Sequence, residues 1–260
     1  MIHGFLLRPS IWQPLLPEPK VGNALRAFAA LDGHFMHAIN SGCSYAIVDS
    51  EYEFRKAESA VTGGCLYWDQ LDPEDPDFET KGTMLMLEGM DFPVVVRLAL
   101  DVLDKKPDTA TQDLYDFIPL VRELGTWLSV RGGSKSSSPG DAPSSSRHDQ
   151  PASWGEALIR SGCVTKEGYE GRGLMTALNR FMMLEARARG YRTISVGVAD
   201  WSVYRCWMSP PPGCRSRITA EFRVWDIELE DEDGRLVRPY VNSGINEQGW
   251  LIRCDLSQLD

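Results

Sequence analysis

Glu170-Gly171-Arg172-Gly173 places two glycines directly ahead of a run in which Leu174, Ala177, Leu178, Phe181 and Met182 recur at helical spacing. A glycine turn that opens a helix aims several backbone N–H groups, and the positive end of the helix dipole, at one point. That point suits phosphate or another anion. Thr176, Asn179, Arg180 and Arg187 are expected on the other face of this helix, with Arg187 and Arg189 in its last turn and Gly190 as its C-terminal cap. The dinucleotide-binding fingerprint is excluded, because its third glycine and the acidic residue ending the next strand are both missing. Spacing supports no Ser-His-Asp set. The 6 cysteines are scattered, with no C-x-x-C pair and no histidine at ligand spacing. A zinc site and a disulfide framework are therefore not expected, and a reducing cytoplasmic setting fits.

Around this turn the chain alternates strands and helices. A short strand is expected at Gly4 to Leu7, and one or two helices from Asn23 to Ile39, interrupted at Gly33. Tyr45 to Val48 reads as a strand with Ala60 to Trp68 as its antiparallel partner, and the acidic, proline-rich stretch from Leu71 to Thr80 as a loop. Residues 93–105 and 113–130 read as helical. Residues 131–150 are rich in Ser, Gly and Pro and too poor in apolar side chains to order themselves, so a flexible loop is expected. Strands follow at Ala157 to Val164 and Thr193 to Val198. A short helix from Trp201 to Met208 is stopped by Pro210-Pro211-Pro212-Gly213, and further strands run from Ile218 to Leu229 and from Gly249 to Asp255.

Composition narrows the partners. The chain of 260 residues is 43% hydrophobic and 25% charged, ordinary for a soluble globular protein. A formal net charge of -10 argues against a general nucleic-acid binder, which needs clustered cations to neutralise phosphates. No apolar run approaches the roughly 20 residues of a membrane span, and the first residues lack a signal-peptide pattern.

From Ala157 onward the order is strand, glycine turn, helix, strand, short helix, strand, strand. This order, together with the turn, resembles the GNAT superfamily of N-acetyltransferases. That family's acetyl-coenzyme A signature is Gln or Arg, two residues, Gly, one residue, then Gly or Ala. Here the matching residues are Glu170-Gly171-Arg172-Gly173-Leu174-Met175. Glu170 and Met175 depart from the pattern. A carboxylate at Glu170 repels phosphate unless it points away or pairs with Arg172, and Met175 is larger than Gly or Ala and narrows the approach. The resemblance implies an α/β (α+β) fold, a mixed twisted sheet flanked by helices. It implies one domain over residues 1–260, with an insertion at about 72–155 that holds the 131–150 loop.

The resemblance also implies the chemistry. An amine of a small molecule, favoured as a cation by the acidic chain, would attack the thioester of acetyl-coenzyme A. Backbone amides of Gly171 to Met175 would hold the cofactor's pyrophosphate. Its pantetheine arm would run along Cys163-Val164-Thr165 and along Ser195 to Ala199, with an N–H near Val164 as the oxyanion donor. Tyr204, the only tyrosine of the short helix, is either the acid that protonates the departing thiolate or a core aromatic beside Trp201 and Trp207. Asp200 is either a general base or the cap of that helix. Glu221 is a second base candidate on a face the sequence leaves open. His34 and His37 lie on helices that would wall the acceptor site. Two alternatives follow from Glu170 and Met175: a GNAT fold with non-acetylating biosynthetic chemistry, or a non-catalytic binding protein. Oligomeric state has no signature.

Overall fold

The computed structural model describes residues 23, 33, 35–51, 93–101, 153–166, 168–230, 233–242 and 248–257. Its strands are β1 (Tyr45–Val48), β2 (Pro93–Asp101), β3 (Ala157–Thr165), β4 (Thr193–Val198), β5 (Arg215–Arg223), β6 (Leu229–Glu230), β7 (Leu236–Val237) and β8 (Gln248–Asp255). The helices are α1 (Leu174–Ala188) and α2 (Trp201–Trp207), with a 3-10 turn at Val224–Asp226. Residues 33 and 35–40 are helical as well, so Gly33 does not interrupt that segment as expected. Six strands hydrogen-bond in the order β1-β2-β3-β4-β8-β5, with β6 and β7 as a separate hairpin. The β3–β4 pairing is parallel and the β1–β2, β4–β8 and β5–β8 pairings are antiparallel, which makes the sheet mixed. Among the described residues no helix is long and apolar enough to cross a membrane.

Two compact units divide the chain. The first holds residues 1–98, 106–119 and 161–178. Within it, β1 pairs with β2 in the register Tyr45↔Arg97 to Ile47↔Val95, and the register shifts before Val48↔Pro93. Residues 93–101 are thus a strand of the sheet rather than part of the helix expected over 93–105. The physical reason lies in Val94-Val95-Val96, a β-branched run that favours a pleated surface over a helix. Pro93 is tolerated at the first strand position, where its missing N–H removes no interior ladder bond. The expectations for residues 4–7, 60–68, 71–80, 113–130 and 131–150 lie outside the described residues.

The second unit holds residues 99–105, 120–160 and 179–260. β4 pairs with β8 over its whole length, Thr193↔Asp255 to Val198↔Trp250, and β5 lies on the far side of β8 from Arg215↔Asp255 to Arg223↔Gln248. β5 ends six residues before the expected Leu229, and its last pair among the described residues is Arg223↔Gln248. The chain then turns through the 3-10 segment. Leu158, Ile194, Val196, Val198, Ile252, Cys254, Met182, Met183 and Trp207 are buried, each aliphatic one adding about 1.5–3 kcal/mol by the area rule. The buried Asp101 carboxylate accepts the Gly155 N–H at 2.8 Å and so orders the approach to β3.

Helix α1 joins the two units covalently and ends as expected. Tyr191 N–H donates to Ala186 O and Gly190 N–H to Arg187 O, both at 3.0 Å, with Gly190 at φ 93°, the Schellman arrangement. Its buried face is rotated from the one expected. Ala177 and Phe181 are exposed, Phe181 by 51%, whereas Asn179, Met183 and Ala186 are buried. The helix carries apolar residues on most of its circumference, so two stripes one residue apart compete, and burial selects 175/178/179/182/183/186. Asn179 is the polar residue caught in that choice. It is 0% exposed, and neither its amide nitrogen nor its oxygen has a hydrogen-bond partner among the described residues.

Two stability predictions follow. Asn179→Leu removes an unsatisfied buried amide and is expected to raise the unfolding free energy by about 1–2 kcal/mol; a urea midpoint at or below the parent's would contradict it. Gly249 pairs with Phe222 across the β5–β8 ladder, and the Phe222 ring covers the place a Cβ would occupy. Gly249→Ala is therefore expected to cost roughly 1–3 kcal/mol, partly recovered by adding Phe222→Leu, which thermal melts of the single and double variants would show.

Candidate functional site

In the first unit the turn ahead of α1 is built from left-handed glycines. Gly168, Gly171 and Gly173 have φ of 82°, 72° and 74°, a region where side chains are strained, and a Cβ built on any of them would meet nothing within 4 Å. Open space therefore lies against the turn. The first backbone bond into the helix is Ala177 N–H to Gly173 O at 3.0 Å. Helix geometry leaves the amides before it without an intrahelical acceptor, and those of Gly173, Leu174 and Met175 have none among the described residues. No acidic side chain lies in the first turn of α1 to compete for them.

The neighbouring side chains leave this approach open. Glu170 is exposed. Arg172 donates to Gly168 O at 2.9 Å and lies over the Tyr169 ring, 4.8 Å from its centroid, rather than closing over Glu170. Met175, Leu174 and Tyr169 pack with Tyr45 and Ile47 of β1 against the buried Leu178. Met175 is thus directed into this cluster, and the narrowing expected from its size is relieved. Tyr169 donates its hydroxyl to Asp49 at 3.1 Å. That hydrogen bond, followed by desolvation and the Asp49 charge, holds the Tyr169 pKa above its ordinary 10.0, against a smaller opposing effect of Arg172. The raised value means the neutral phenol is favoured in the fold; its contribution is complete below pH 10.0 and is lost as pH rises through the raised value.

The second unit carries the other candidates. The parallel ladder between β3 and β4 covers Ala157↔Thr193 to Ile159↔Ser195. β4 continues to Val198 paired with β8 alone, so backbone groups on its other edge from Val196 onward are not engaged in that ladder. Asp200 follows directly and caps α2: its Oδ1 accepts from Ser202 N–H at 2.7 Å and Val203 N–H at 3.0 Å. The cap sets the start of the helix that presents Tyr204. Tyr204 is half-buried, stacked on Trp201 at 4.8 Å and 13° and tilted on Trp250 at 4.5 Å and 39°. Its hydroxyl has no hydrogen-bond partner among the described residues. Glu221 pairs with Trp250 on the β5–β8 ladder, which puts both side chains on one face, and its carboxylate accepts from Gln248 Nε2 at 3.2 Å.

The structure thus groups Glu170 to Met175 in one cluster, and Asp200, Tyr204 and Glu221 around the end of β4 and the start of β8. Cys163, Val164 and Thr165 lie on β3 and are half-buried, as is His37 in the helical 35–40 segment; His34 lies outside the described residues. Sequence reasoning missed Trp250 and Asp49. Trp250 carried a signal, since it stands in an apolar strand opposite Glu221. Asp49 carried none, standing 120 residues from the tyrosine it binds.

No family model matches this chain, and no curated protein does. Solved structures similar to it include arylalkylamine N-acetyltransferase 2 from Aedes aegypti, at 11% identity and a TM-score of 0.49 over 88% of this chain and 80% of that one. The C-terminal condensation domain of Ebony in complex with beta-alanyl-dopamine matches at 13% identity and a TM-score of 0.42, over 81% of this chain and 97% of that one. Drosophila melanogaster polyamine N-acetyltransferase matches at 14% identity and a TM-score of 0.38, over 80% of this chain and 99% of that one.

The Asp200 geometry predicts a stability effect. Asp200→Ala is expected to cost about 1 kcal/mol through loss of the cap, and Asp200→Asn only a few tenths, since Asn caps as well. Equal losses in denaturant titrations of the two variants would mean that charge, not capping, is what matters.

Proposed function

We propose that the chain is a GNAT-type acyltransferase that transfers an acetyl group from acetyl-coenzyme A to an amine of a small molecule. One observation carries the reading: the amides of Gly173, Leu174 and Met175, at the start of a helix with no acid in its first turn, have no acceptor among the described residues. Those donors fit a pyrophosphate, and the inward packing of Met175 leaves them accessible. When bound, the thioester supplies the acyl group and the leaving thiol.

Each remaining role falls to a residue of this chain. The edge of β4 beyond Ser195, outside its ladder with β3, would offer backbone donors and acceptors to the amides of a pantetheine arm. The Val164 N–H would be the donor for negative charge that develops on an acyl oxygen. Glu221 accepts the proton the amine gives up. Tyr204, whose hydroxyl has no partner among the described residues, would supply a proton to the departing thiolate, which balances the proton given up by the amine. Asp200 acts on α2 as its cap. The formal charge of -10 favours a cationic acceptor through steering.

Titration calorimetry with acetyl-coenzyme A is expected to show micromolar binding, with thiol release in the presence of an amine panel. Gly173→Ala is expected to weaken that binding at least about tenfold, because its Cβ strains a φ of 74° and fills the open space. Tyr204→Phe is expected to lower kcat at least about tenfold while leaving cofactor affinity unchanged. Absence of binding at millimolar cofactor would sink the reading, and a fully active Tyr204→Phe enzyme would remove that residue as the acid.

A further inference from the structure

Gly171 and Gly173 give the anion-binding turn its shape but also its freedom, since glycine loses more conformational entropy on ordering than any other residue. Something outside the turn must hold it. The surrounding contacts converge on Tyr169, at the turn's leading edge. Its ring packs on Leu178, which Leu174, Met175 and Tyr45 and Ile47 of β1 also contact. Its hydroxyl reaches past the end of β1 to Asp49 at 3.1 Å. Asp49 is itself fixed, because its Oδ1 accepts the Glu51 N–H at 3.1 Å while Oδ2 accepts the phenol. One carboxylate therefore closes the turn that ends β1 and anchors a side chain 120 residues away.

The outward face of the same ring carries charge. The Arg172 guanidinium lies 4.8 Å from the ring centroid and Lys166 Nζ lies 5.9 Å from it. The Arg172 contact is supplemented by its bond to Gly168 O. Two cations are thus kept against the Tyr169 ring, and Arg172 is held to the 168–173 turn itself.

We infer that Tyr169 and Asp49 form a strut that positions the 168–173 turn and the Arg172 guanidinium for anion binding. The inference rests on the proposed cofactor role of the turn, and deepens it: affinity for the phosphates depends on a hydrogen bond that touches no ligand. Neither residue is a catalytic residue. They act through the backbone of the turn and through Arg172.

The test is a double-mutant cycle with two readouts on the full chain. Tyr169→Phe removes the hydroxyl and keeps the ring, Asp49→Ala removes the acceptor, and the double variant removes both. Each single variant is expected to weaken coenzyme A binding about fivefold with kcat unchanged, and the double variant to be no worse than either single one. Asp49→Asn retains a hydrogen-bonding group and is expected to stay within about twofold of the parent. Tyr169→Leu also removes the cation-bearing ring face and is expected to exceed the effect of Tyr169→Phe. Amide hydrogen exchange over residues 168–175, measured without any ligand, is expected to quicken in Tyr169→Phe and Asp49→Ala. Quickened exchange in a parent chain that binds no coenzyme A would support the strut and defeat the cofactor reading. Unchanged exchange, additive losses, or unchanged affinity in a parent that does bind coenzyme A would overturn the strut.

Discussion

The backbone amides of Gly173, Leu174 and Met175 are donors without acceptors among the described residues, and the helix they open carries no acid in its first turn. A helix N-terminus is ordinarily quenched by a capping side chain or an acid in its first turn, either of which contributes about 0.3–2 kcal/mol. α1 has no acid there, and it is preceded by left-handed glycines rather than by a capping Ser, Thr, Asp or Asn. The helix forgoes that stabilisation and draws its stability from elsewhere: the Leu178 cluster near one end and the Schellman cap at the other. α2 makes the opposite choice. Its N-terminus is occupied by the Asp200 carboxylate, which leaves it no anion site and fixes the segment that carries Tyr204.

The second unit is governed by a different constraint, the pairing of β4. A strand held on both edges along its length offers no backbone groups to a ligand. β4 meets β3 only through Ser195 and meets β8 as far as Val198, so stability and availability are divided between its two edges. β8 secures the strand on one side, and its Trp250 contributes the apolar surface against which Tyr204 and Trp201 rest. The same ladder sets Glu221 opposite Trp250, so the position of a polar candidate follows from strand register rather than from any local motif.

These constraints explain what was legible in the sequence. β1 and β4 fall where the alternation put them, α1 ends where Gly190 said it would, and the glycine turn stands where its spacing placed it, because each depends on contacts within a few residues. β2 read as a helix because an apolar run beginning at a proline has no period that separates a buried strand from a buried helix; its pairing with β1 decides the matter. The face of α1 was misjudged for a related reason. With Phe181 and Met182 adjacent, periodicity allows either stripe, and burial leaves Phe181 outside and Asn179 inside. β5 ends on its pair with Gln248, a register held in a distant segment.

The departures from the family pattern show how a motif is judged by its context. Met175 looked obstructive because a signature records residue types at positions and not directions. In the structure its side chain joins Tyr45, Ile47 and Leu174 against Leu178, so the bulk that might have closed the turn instead pins the helix start from beneath. Glu170 looked repulsive because a carboxylate beside the turn opposes phosphate unless it points away or pairs with Arg172. Arg172 is engaged by Gly168 O and the Tyr169 ring, and Glu170 is exposed, where a carboxylate's field is strongly screened. What a backbone-built anion site requires is therefore not one set of side chains at the turn but one set of directions. Here those directions are imposed by β1, through contacts that span the chain from Asp49 to Tyr169.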